Sequence, residues 1–236
     1  MLDALAITRM HDEATLFWHG DQAGQESFVP AWDEDPRSAP LSIAAGGFDP
    51  QPQLPADLVE IALAHHRANF DLWHEEDKAR EPDASDNRIA SVKRAIDGLN
   101  QTRNDLVEAM DRALLAAAGR QNPAAPLHSE SPGLILDRLS ILALKLYHTA
   151  EESRRATASE AHRRRNLGRL ALLDEQRNDL AACLDALWRE ALDGQRRFKL
   201  YRQMKMYNDP ELNPAVYTHA TGAEKTGAPK AIPNSG

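Results

Sequence analysis

The chain has 236 residues and a mass of 26.2 kDa, with 42% hydrophobic residues, 27% charged residues and a formal net charge of -8. This composition excludes a fibrous, a disordered or a membrane-spanning protein, because the apolar residues suffice for a core but form no run near the roughly 20 residues that a bilayer span needs. A single cysteine, Cys183, excludes intrachain disulfides and a CxxC zinc site. The first residues lack the basic segment of a secretory signal, so we expect a cytosolic protein.

In chain order, residues 1–20 predict a short amphipathic helix with Leu5, Leu16, Phe17 and Trp18 as its apolar residues. Residues 21–56 are rich in proline and glycine, which interrupt regular elements, and predict an irregular arm. Helical periodicity then predicts four helices over residues 57–80, 86–118, 131–157 and 159–207. Residues 215–236 predict a disordered tail. We therefore expect three regions: a helix and arm over residues 1–56, a helical bundle over 57–214, and the tail.

Local end signals support these helices. Asp57 can cap the first bundle helix, and Ser131 before Pro132 is an N-cap followed by a proline at the first helical position, where its missing N–H costs nothing. Gly119 is expected to close the second helix. No segment alternates polar and apolar residues with period two, so we predict an all-α fold with no sheet.

An internal repeat supports a symmetric bundle. A shift of 74 residues places Leu99, Arg103 and Asn104 on Leu173, Arg177 and Asn178. The same shift, without gaps, places Trp73 and His74 on Tyr147 and His148. The alternative is a chance match between two amphipathic helices of similar composition. If the repeat is real, the fold is a four-helix up-down bundle of two αα-hairpins related by a pseudo-twofold axis.

Polar residues lie at positions where the core should be. Arg103 falls in the middle of an apolar stripe on the second bundle helix, and Arg177 holds the equivalent position on the fourth. Asn100 lies at the edge of the first of these stripes. The first bundle helix turns polar along its buried side, and the third is apolar except for a line of titratable groups. Because unpaired buried charge is costly, these groups need partners.

Two explanations of this pattern remain open. One is a closed network that pairs Arg103, Arg177, Arg138 and Lys145 with Glu76, Asp77, Asp137 and Glu152 and fixes the helix register. The other is an interhelical pocket in which excess cationic groups bind an anionic ligand such as a carboxylate or phosphate. The planar guanidinium fork of arginine suits both. We expect Arg103 to belong to such a site and Arg177, which shares its helix with Asp174 and Glu175, to serve structural pairing.

Other chemistry is less well supported. Bundles that bind two iron ions need inward Glu-x-x-His pairs, and the chain contains none. Asp71 and His74 are expected to project from the outer face of their helix, and His65 and His66 point in different directions because they are adjacent. We therefore expect no metal and no cofactor. Cys183 lies among leucines and alanines as an inert thiol would, and the basic run at residues 162–165 is expected to be a solvated turn rather than a nucleic-acid site.

Four blocks of sequence resemble the bacterial family known as domain of unknown function 4254. They are the segment from Ser131-Pro132-Gly133 through Asp137-Arg138 to Lys145 and His148; Asn69 to Asp77 with Arg80; Ile96 to Asn100 with Arg103; and Gln203 to Pro210 with Asn213-Pro214. The match spans residues 57–214, in order. The resemblance implies a helical, cytosolic protein whose relatives often occur among glycosyltransferase genes for lipopolysaccharide or other surface glycans. It implies no activity and no catalytic residues.

The motif residues of this resemblance coincide with the polar positions found from periodicity. The resulting candidate ligand-binding residues are Asn69, Trp73, Glu76, Asp77, Arg80, Asn100, Arg103, Asp137, Arg138, Lys145 and His148. The terminal block from Tyr207 to Pro210 is expected to fold over one end of the bundle.

Three functions are compatible with the sequence. The first is binding or conversion of a small anionic metabolite, such as a phosphorylated sugar or nucleotide sugar, in a glycan pathway. The second is an interaction protein whose arm and tail dock onto a glycosyltransferase. The third, a chorismate-mutase-like mutase or lyase, rests only on Arg94, Ile96 and Asp97 with Arg103 on a helical bundle. We expect no nucleic-acid partner.

Overall fold

The computed structural model describes residues 2–23, 56–202 and 211. They form five α-helices: α1 (Ala4–Ala23), α2 (Ala56–Lys78), α3 (Asp86–Ala118), α4 (Pro132–Arg154) and α5 (Glu160–Leu192). No strand occurs among these described residues, so the predicted all-α fold is confirmed. The chain divides into two units, Met1–Leu200, which holds all five helices, and Tyr201–Gly236, of which three residues are described.

Several predictions from sequence concern residues outside the described ranges. They are the irregular arm as far as residue 55, the terminal block at residues 203–210 and the disordered tail at residues 215–236. Among the helices that the structure does describe, none combines the length and the apolar character required to cross a membrane.

The helix boundaries follow the 74-residue repeat. A shift of 74 carries α3 onto α5, each of 33 residues, and carries the N-cap Ser85 onto the N-cap Ser159. Both of the other bundle helices, α2 and α4, have 23 residues, although their ends are offset by two residues from the shift. Helix α2 packs chiefly against α3, and α4 chiefly against α5. The short connections within each pair make the two helices antiparallel neighbours, as in the predicted αα-hairpins.

The start of α4 is held in place by side chains from two helices. The Ser131 hydroxyl accepts a hydrogen bond from the backbone N–H of Leu134 at 3.4 Å, as an N-cap does. The same hydroxyl donates to buried Asp111 of α3, whose other oxygen accepts from the backbone N–H of Gly133 at 2.6 Å. A Cβ on residue 133 would lie 2.7 Å from Asp111 Oδ1 and from the carbonyl oxygen of Val107. The close approach of α3 and α4 therefore requires glycine at this position.

Helix α1 is part of the hydrophobic core. It packs against α4, α2 and α5, and its backbone N–H at Ala4 donates to Asp185 of α5 at 3.0 Å. The buried face of α1 differs from the predicted one, because Leu5 and Phe17 are about half exposed. Ala4, Ile7 and Met10 of α1 belong to the core, together with Leu2, which precedes the helix. Burial of such apolar surface contributes on the order of 25 cal/mol per Å², so removing α1 would uncover the core.

Helix α5 is shorter than predicted. It ends at Leu192 rather than at residue 207, because Asp193 and Gly194, the latter with a φ of 69°, turn the chain out of the helix. The chain then runs beside the α3–α4 connection, where His128 N–H donates to the Arg197 carbonyl at 2.8 Å and Arg197 N–H donates to the Pro126 carbonyl at 3.0 Å. Helix α4 likewise ends at Arg154, three residues before the predicted end.

Candidate functional site

Six of the nine histidines of the chain lie on α1, α2 and α4 and are buried or half buried. They belong to two groups of polar residues. We call the first the buried network; its members are His11, Thr15, His65, His66, Asn69, Arg103, Asp137 and Ser140. We call the second the three-histidine cluster; its members are His19, His74 and His148. Apart from Arg103 of α3, both groups lie on α1, α2 and α4.

The centre of the buried network is the carboxylate of Asp137, which is 7% exposed. Arg103 donates to both of its oxygens, from Nε at 2.7 Å and from Nη2 at 2.5 Å. His65 Nε2 lies 2.8 Å from Oδ1, and Asn69 Nδ2 donates to the same oxygen at 3.2 Å. Burial alone would raise the pKa of Asp137, but the hydrogen bonds from Arg103 and His65 outweigh it and hold that pKa well below its ordinary value. Asp137 is therefore an ionised carboxylate with its partners in place.

The rest of the network fixes the tautomer of His66. Thr15 donates its hydroxyl hydrogen to the backbone carbonyl of His11 at 2.8 Å, so it must accept from His66 Nε2, which lies 2.8 Å away. His66 Nδ1 is then an acceptor for the Ser140 hydroxyl, also at 2.8 Å. Burial lowers the pKa of His66 to about 3, with a further contribution from His65. His66 is therefore a neutral, doubly hydrogen-bonded ring.

The contact between His66 and Ser140 joins two positions that the 74-residue shift makes equivalent. Equivalent residues touch each other only where they lie close to the symmetry axis that relates them. The pseudo-twofold axis therefore passes between α2 and α4 at the network. His11 stacks on His66 at 4.4 Å between ring centroids, and burial lowers its pKa well below the ordinary value. Both ring nitrogens of His11 lack a partner among the described residues.

In the three-histidine cluster, one ring nitrogen of each histidine lies within 4.8 Å of those of the other two. The Nδ1 atoms are engaged elsewhere: His19 Nδ1 lies 2.8 Å from the Thr15 carbonyl, and His74 Nδ1 lies 2.8 Å from the Phe70 carbonyl. His148 Nδ1 lies 3.0 Å from Glu151 Oε2. Burial lowers the pKa of His19, which favours its neutral ring. His74 and His148 are the second pair of repeat-equivalent residues that meet.

Aromatic rings surround the cluster and restrict the imidazoles. Tyr147 stacks on His19 with ring centroids 4.0 Å apart, and Trp73 stacks on His148 at 4.8 Å with an angle of 7° between planes. Phe70 packs edge-on against His19 at 4.8 Å. Burial, together with the neighbouring Glu151 carboxylate, raises the pKa of Tyr147 to about 12, so its hydroxyl is protonated in its hydrogen bond with Glu151.

An open cleft of about 580 Å³ lies between α2 and α3, and we call it the α2–α3 cleft. Its residues are Phe70, Asp71, His74, Glu75, Lys78, Ala95, Gly98, Leu99 and Thr102. His74 thus belongs both to the cleft and to the three-histidine cluster. Two carboxylates of the cleft are in ion pairs: Asp71 accepts from Arg67 Nε at 2.9 Å, and Glu75 lies 2.5 Å from Lys78 Nζ.

The candidate residues predicted from sequence do not form one group. Asn69, Arg103 and Asp137 meet in the buried network, and Trp73 and His148 meet at the three-histidine cluster. Asn100 is half buried. Among the described residues, the predicted interhelical partners of the remaining charges are not found, and these residues are half buried or exposed: Glu76, Asp77, Arg80, Arg138 and Lys145.

The exposed charges pair locally. Glu76 pairs with Arg80, two residues beyond the end of α2, at 3.0 Å, and Arg138 pairs with Glu130 at 2.8 Å. The correction has a simple cause: periodicity gives the direction of a side chain around a helix, but not whether another helix covers that stretch.

Arg103 and Arg177, which the repeat makes equivalent, both form ion pairs with an aspartate of another helix. Arg177 donates to Asp12 of α1 at 2.8 Å and to Asp174 at 2.7 Å, which agrees with the structural role expected for it. Arg103 is paired just as closely with Asp137. Of the residues that suggested a chorismate-mutase-like site, Arg94 is exposed and Asp97 pairs with Lys93.

The histidines of α1 and α2 were missed as a set because His74 was expected to face outward. In fact α1 covers that face of α2. A signal was present in the spacing: His11 and His19 on one helix, and His66 and His74 on the other, lie eight residues apart, which is close to two helical turns. Two such stripes predict facing histidine-rich surfaces.

Comparison with known protein families identifies the family to which the chain belongs. A family model described as "Protein of unknown function (DUF4254)" matches residues 59–200. The chain belongs to the DUF4254 family. This confirms the resemblance seen in the sequence blocks. No curated protein and no solved structure matches the chain. The DUF4254 match includes His74 and His148 but begins after α1, so His19 lies outside the matched residues.

Proposed function

We propose that this DUF4254 protein binds a phosphorylated sugar or a nucleotide sugar in the α2–α3 cleft. The observation that carries the proposal is the mixed lining of the cleft: two carboxylates, one ammonium group and a hydroxyl stand around apolar Ala95 and Leu99. Its volume of about 580 Å³ is in the range of small-molecule sites.

Each part of this lining suits one part of such a ligand. The carboxylates of Asp71 and Glu75 are acceptors for sugar hydroxyls, and the Thr102 hydroxyl both donates and accepts. The ammonium group of Lys78 is a donor of the kind that binds phosphate. Because Arg67 and Lys78 already offset the two carboxylates, the lining does not repel an anion as two free carboxylates would.

In this proposal Lys78, and not Arg103, binds the anionic group of the ligand. Its guanidinium already donates to both oxygens of Asp137, so an anionic ligand would have to displace a buried carboxylate. Lys78 is 43% exposed and can leave Glu75 for a ligand at little cost, since exposed ion pairs contribute only about 0–1 kcal/mol. The proposal includes a role in the biosynthesis of surface glycans or lipopolysaccharide, because phosphorylated sugars and nucleotide sugars are the building blocks of such glycans.

The test is to fill the cleft without disturbing the fold. A Cβ on Gly98 meets no atom within 4 Å, and the same holds for Gly168 on α5, which lies outside the cleft. Gly98→Leu and Gly168→Leu should therefore both fold, each gaining up to about 1 kcal/mol from helix propensity. We expect sugar 1-phosphates or nucleotide sugars to raise the melting temperature of the native protein and of Gly168→Leu, and not that of Gly98→Leu.

A second pair of variants tests the contribution of the Lys78 charge to binding. Lys78→Met should weaken binding of the phosphorylated probe, whereas Lys93→Met, which removes another exposed lysine paired within its helix, should leave binding unchanged. Absence of any thermal shift in the native protein across both classes of probe, or equal shifts in Gly98→Leu, would contradict the proposal.

A further inference from the structure

We propose that His19, His74 and His148 together bind one divalent transition-metal ion through their Nε2 atoms. The three side chains come from α1, α2 and α4, and each offers one ring nitrogen within 4.8 Å of the other two. This site is independent of the ligand proposed for the α2–α3 cleft, which requires no metal, although His74 borders both.

The hydrogen bonds at Nδ1 decide which nitrogen is available. A backbone carbonyl can only accept a hydrogen bond, so His19 Nδ1, facing the Thr15 carbonyl, and His74 Nδ1, facing the Phe70 carbonyl, must carry their hydrogens. In a neutral ring the other nitrogen then has a free lone pair. These hydrogen bonds are typical of metal-binding histidines, which usually donate one ring N–H to a carbonyl or carboxylate and coordinate the metal through the other nitrogen.

The Nδ1 atom of His148 also faces a hydrogen-bond acceptor, which here is a carboxylate. Its Nδ1 faces Glu151 Oε2 at 3.0 Å, and Glu151 also forms a hydrogen bond with the Tyr147 hydroxyl. A carboxylate behind a histidine orients the ring and increases the basicity of its free nitrogen. Glu151 is therefore a positioning residue in this proposal, acting through His148.

The free nitrogens are also buried. The Nε2 atoms of His19 and His148 are inaccessible to solvent and have no hydrogen-bond partner among the described residues. Leaving a buried polar atom unpaired is costly, and few such atoms persist in folded proteins without an explanation. A metal ion between the rings would satisfy these lone pairs at once.

The fold explains how the ligands come together. His74 and His148 are equivalent by the 74-residue repeat and meet near the pseudo-twofold axis, with ring centroids 5.7 Å apart. Helix α1 then adds His19 across that axis. Stacking of Tyr147 on His19 and of Trp73 on His148 holds two of the rings in place. The site therefore requires only small side-chain movements to reach the ~2.0–2.1 Å bonds of zinc to histidine.

The donor set defines the class of metal. Three neutral imidazoles suit zinc, cobalt, nickel or copper, whereas magnesium and calcium prefer oxygen ligands. Three protein ligands also leave at least one coordination position for water or a substrate, as in zinc sites that perform catalysis.

The test is zinc binding by the full-length protein after treatment with a chelator. Isothermal titration calorimetry with zinc chloride should give one site per chain, and magnesium chloride should give none. His19→Gln, His74→Gln and His148→Gln should each lose more than the roughly 10- to 100-fold in affinity that removal of a residue behind a ligand costs. His128→Gln, which changes a histidine outside both groups, should bind as the native protein does.

A second pair of variants avoids any question of folding. Glu151 and Glu152 are neighbouring carboxylates that are both more than 40% exposed, so replacement of either should preserve the fold. Glu151→Leu should weaken zinc binding by about 10- to 100-fold, whereas Glu152→Leu should not. Absence of zinc binding at micromolar concentration, or equal affinity in the native protein and all three histidine variants, would overturn the proposal.

Discussion

The buried network and the three-histidine cluster both contain histidines and both lie between α1, α2 and α4, with Arg103 of α3 added to the network, yet their nitrogen atoms have different surroundings. In the network, His65 and His66 donate to or accept from Asp137, Ser140 and Thr15, and the charge of Arg103 is matched by a carboxylate. In the cluster, the Nδ1 atoms lie against two backbone carbonyls and Glu151, and one ring nitrogen of each histidine lies within 4.8 Å of those of the other two. Both groups contain buried ring nitrogens without a hydrogen-bond partner, but among the described residues only the cluster brings one nitrogen from each of three histidines within 4.8 Å of the others, as a metal ion requires.

The largest effect should come from opening the network at its centre. Asp137→Ala removes the partner of Arg103 and His65 and leaves a charged group without compensation, so we expect a loss of about 3–5 kcal/mol in the free energy of unfolding. Urea denaturation measures this. The control Asp77→Ala, at an exposed position on α2, should change stability by no more than about 0.5 kcal/mol. A loss below 1 kcal/mol for Asp137→Ala would mean that the network contributes little to the fold.

A smaller loss is expected at the equivalent arginine. Burial raises the pKa of Asp12 to about 6 even though Arg177 opposes the shift, so Asp12 can take up a proton when its partner is removed. Arg177→Met should therefore cost about 1–3 kcal/mol, less than Arg103→Met, which removes the hydrogen bonds that Arg103 donates to both oxygens of buried Asp137. The comparison of the two unfolding free energies at pH 7 checks this. A larger loss of unfolding free energy in Arg177→Met than in Arg103→Met would contradict this prediction.

The network should also make the protein sensitive to acid. His66 has a pKa lowered to about 3 by burial, so the unfolded chain binds a proton below about pH 6.5 that the folded chain does not. Stability is therefore complete above pH 6.5 and falls as the pH is lowered towards 3, by about 1.4 kcal/mol for each pH unit per histidine of this kind. His11, whose pKa is lowered as well, should add to the slope, and Asp137 adds a further loss below about pH 4.

This dependence can be measured from urea midpoints at pH 7.5, 6.5 and 5.5. His66→Gln removes one titrating group and should flatten the profile, while His128→Gln, outside the network, should not. Identical profiles in the native protein and in His66→Gln would contradict a neutral His66, because the raised pKa of Asp12 acts equally in both.

The sequence predicted much of the scaffold and part of the polar interior. The repeat found from Arg103 and Arg177 corresponds to helices α3 and α5, whose bounds coincide after the shift, and Ser131 is the N-cap of α4 that the sequence predicted. These features depend on local patterns, which a sequence contains. Arg103 and Asp137 were also both expected inside the bundle.

The predictions that failed depend on which helix covers which face. Glu76 at the polar end of α2 pairs with Arg80 just beyond it, at a partly exposed position, whereas His74 contacts His19 of α1. Neither fact can be derived from the periodicity of α2 itself, because it follows from the packing of a helix more than 30 residues away in the chain. The same packing gives Arg177 its partner Asp12 on α1.

The most direct test of the difference between the two groups is a histidine-selective ¹H–¹⁵N spectrum of the full-length protein before and after one equivalent of zinc. Without metal, His19, His74 and His148 should all carry a hydrogen on Nδ1, because each Nδ1 faces an oxygen that can only accept. Zinc should then shift the Nε2 resonances of these three residues and leave those of His65 and His66 unchanged. Hydrogen on Nε2 in the three residues, or zinc shifts that spread equally over both groups, would contradict the assignment of one group to structure and the other to a metal.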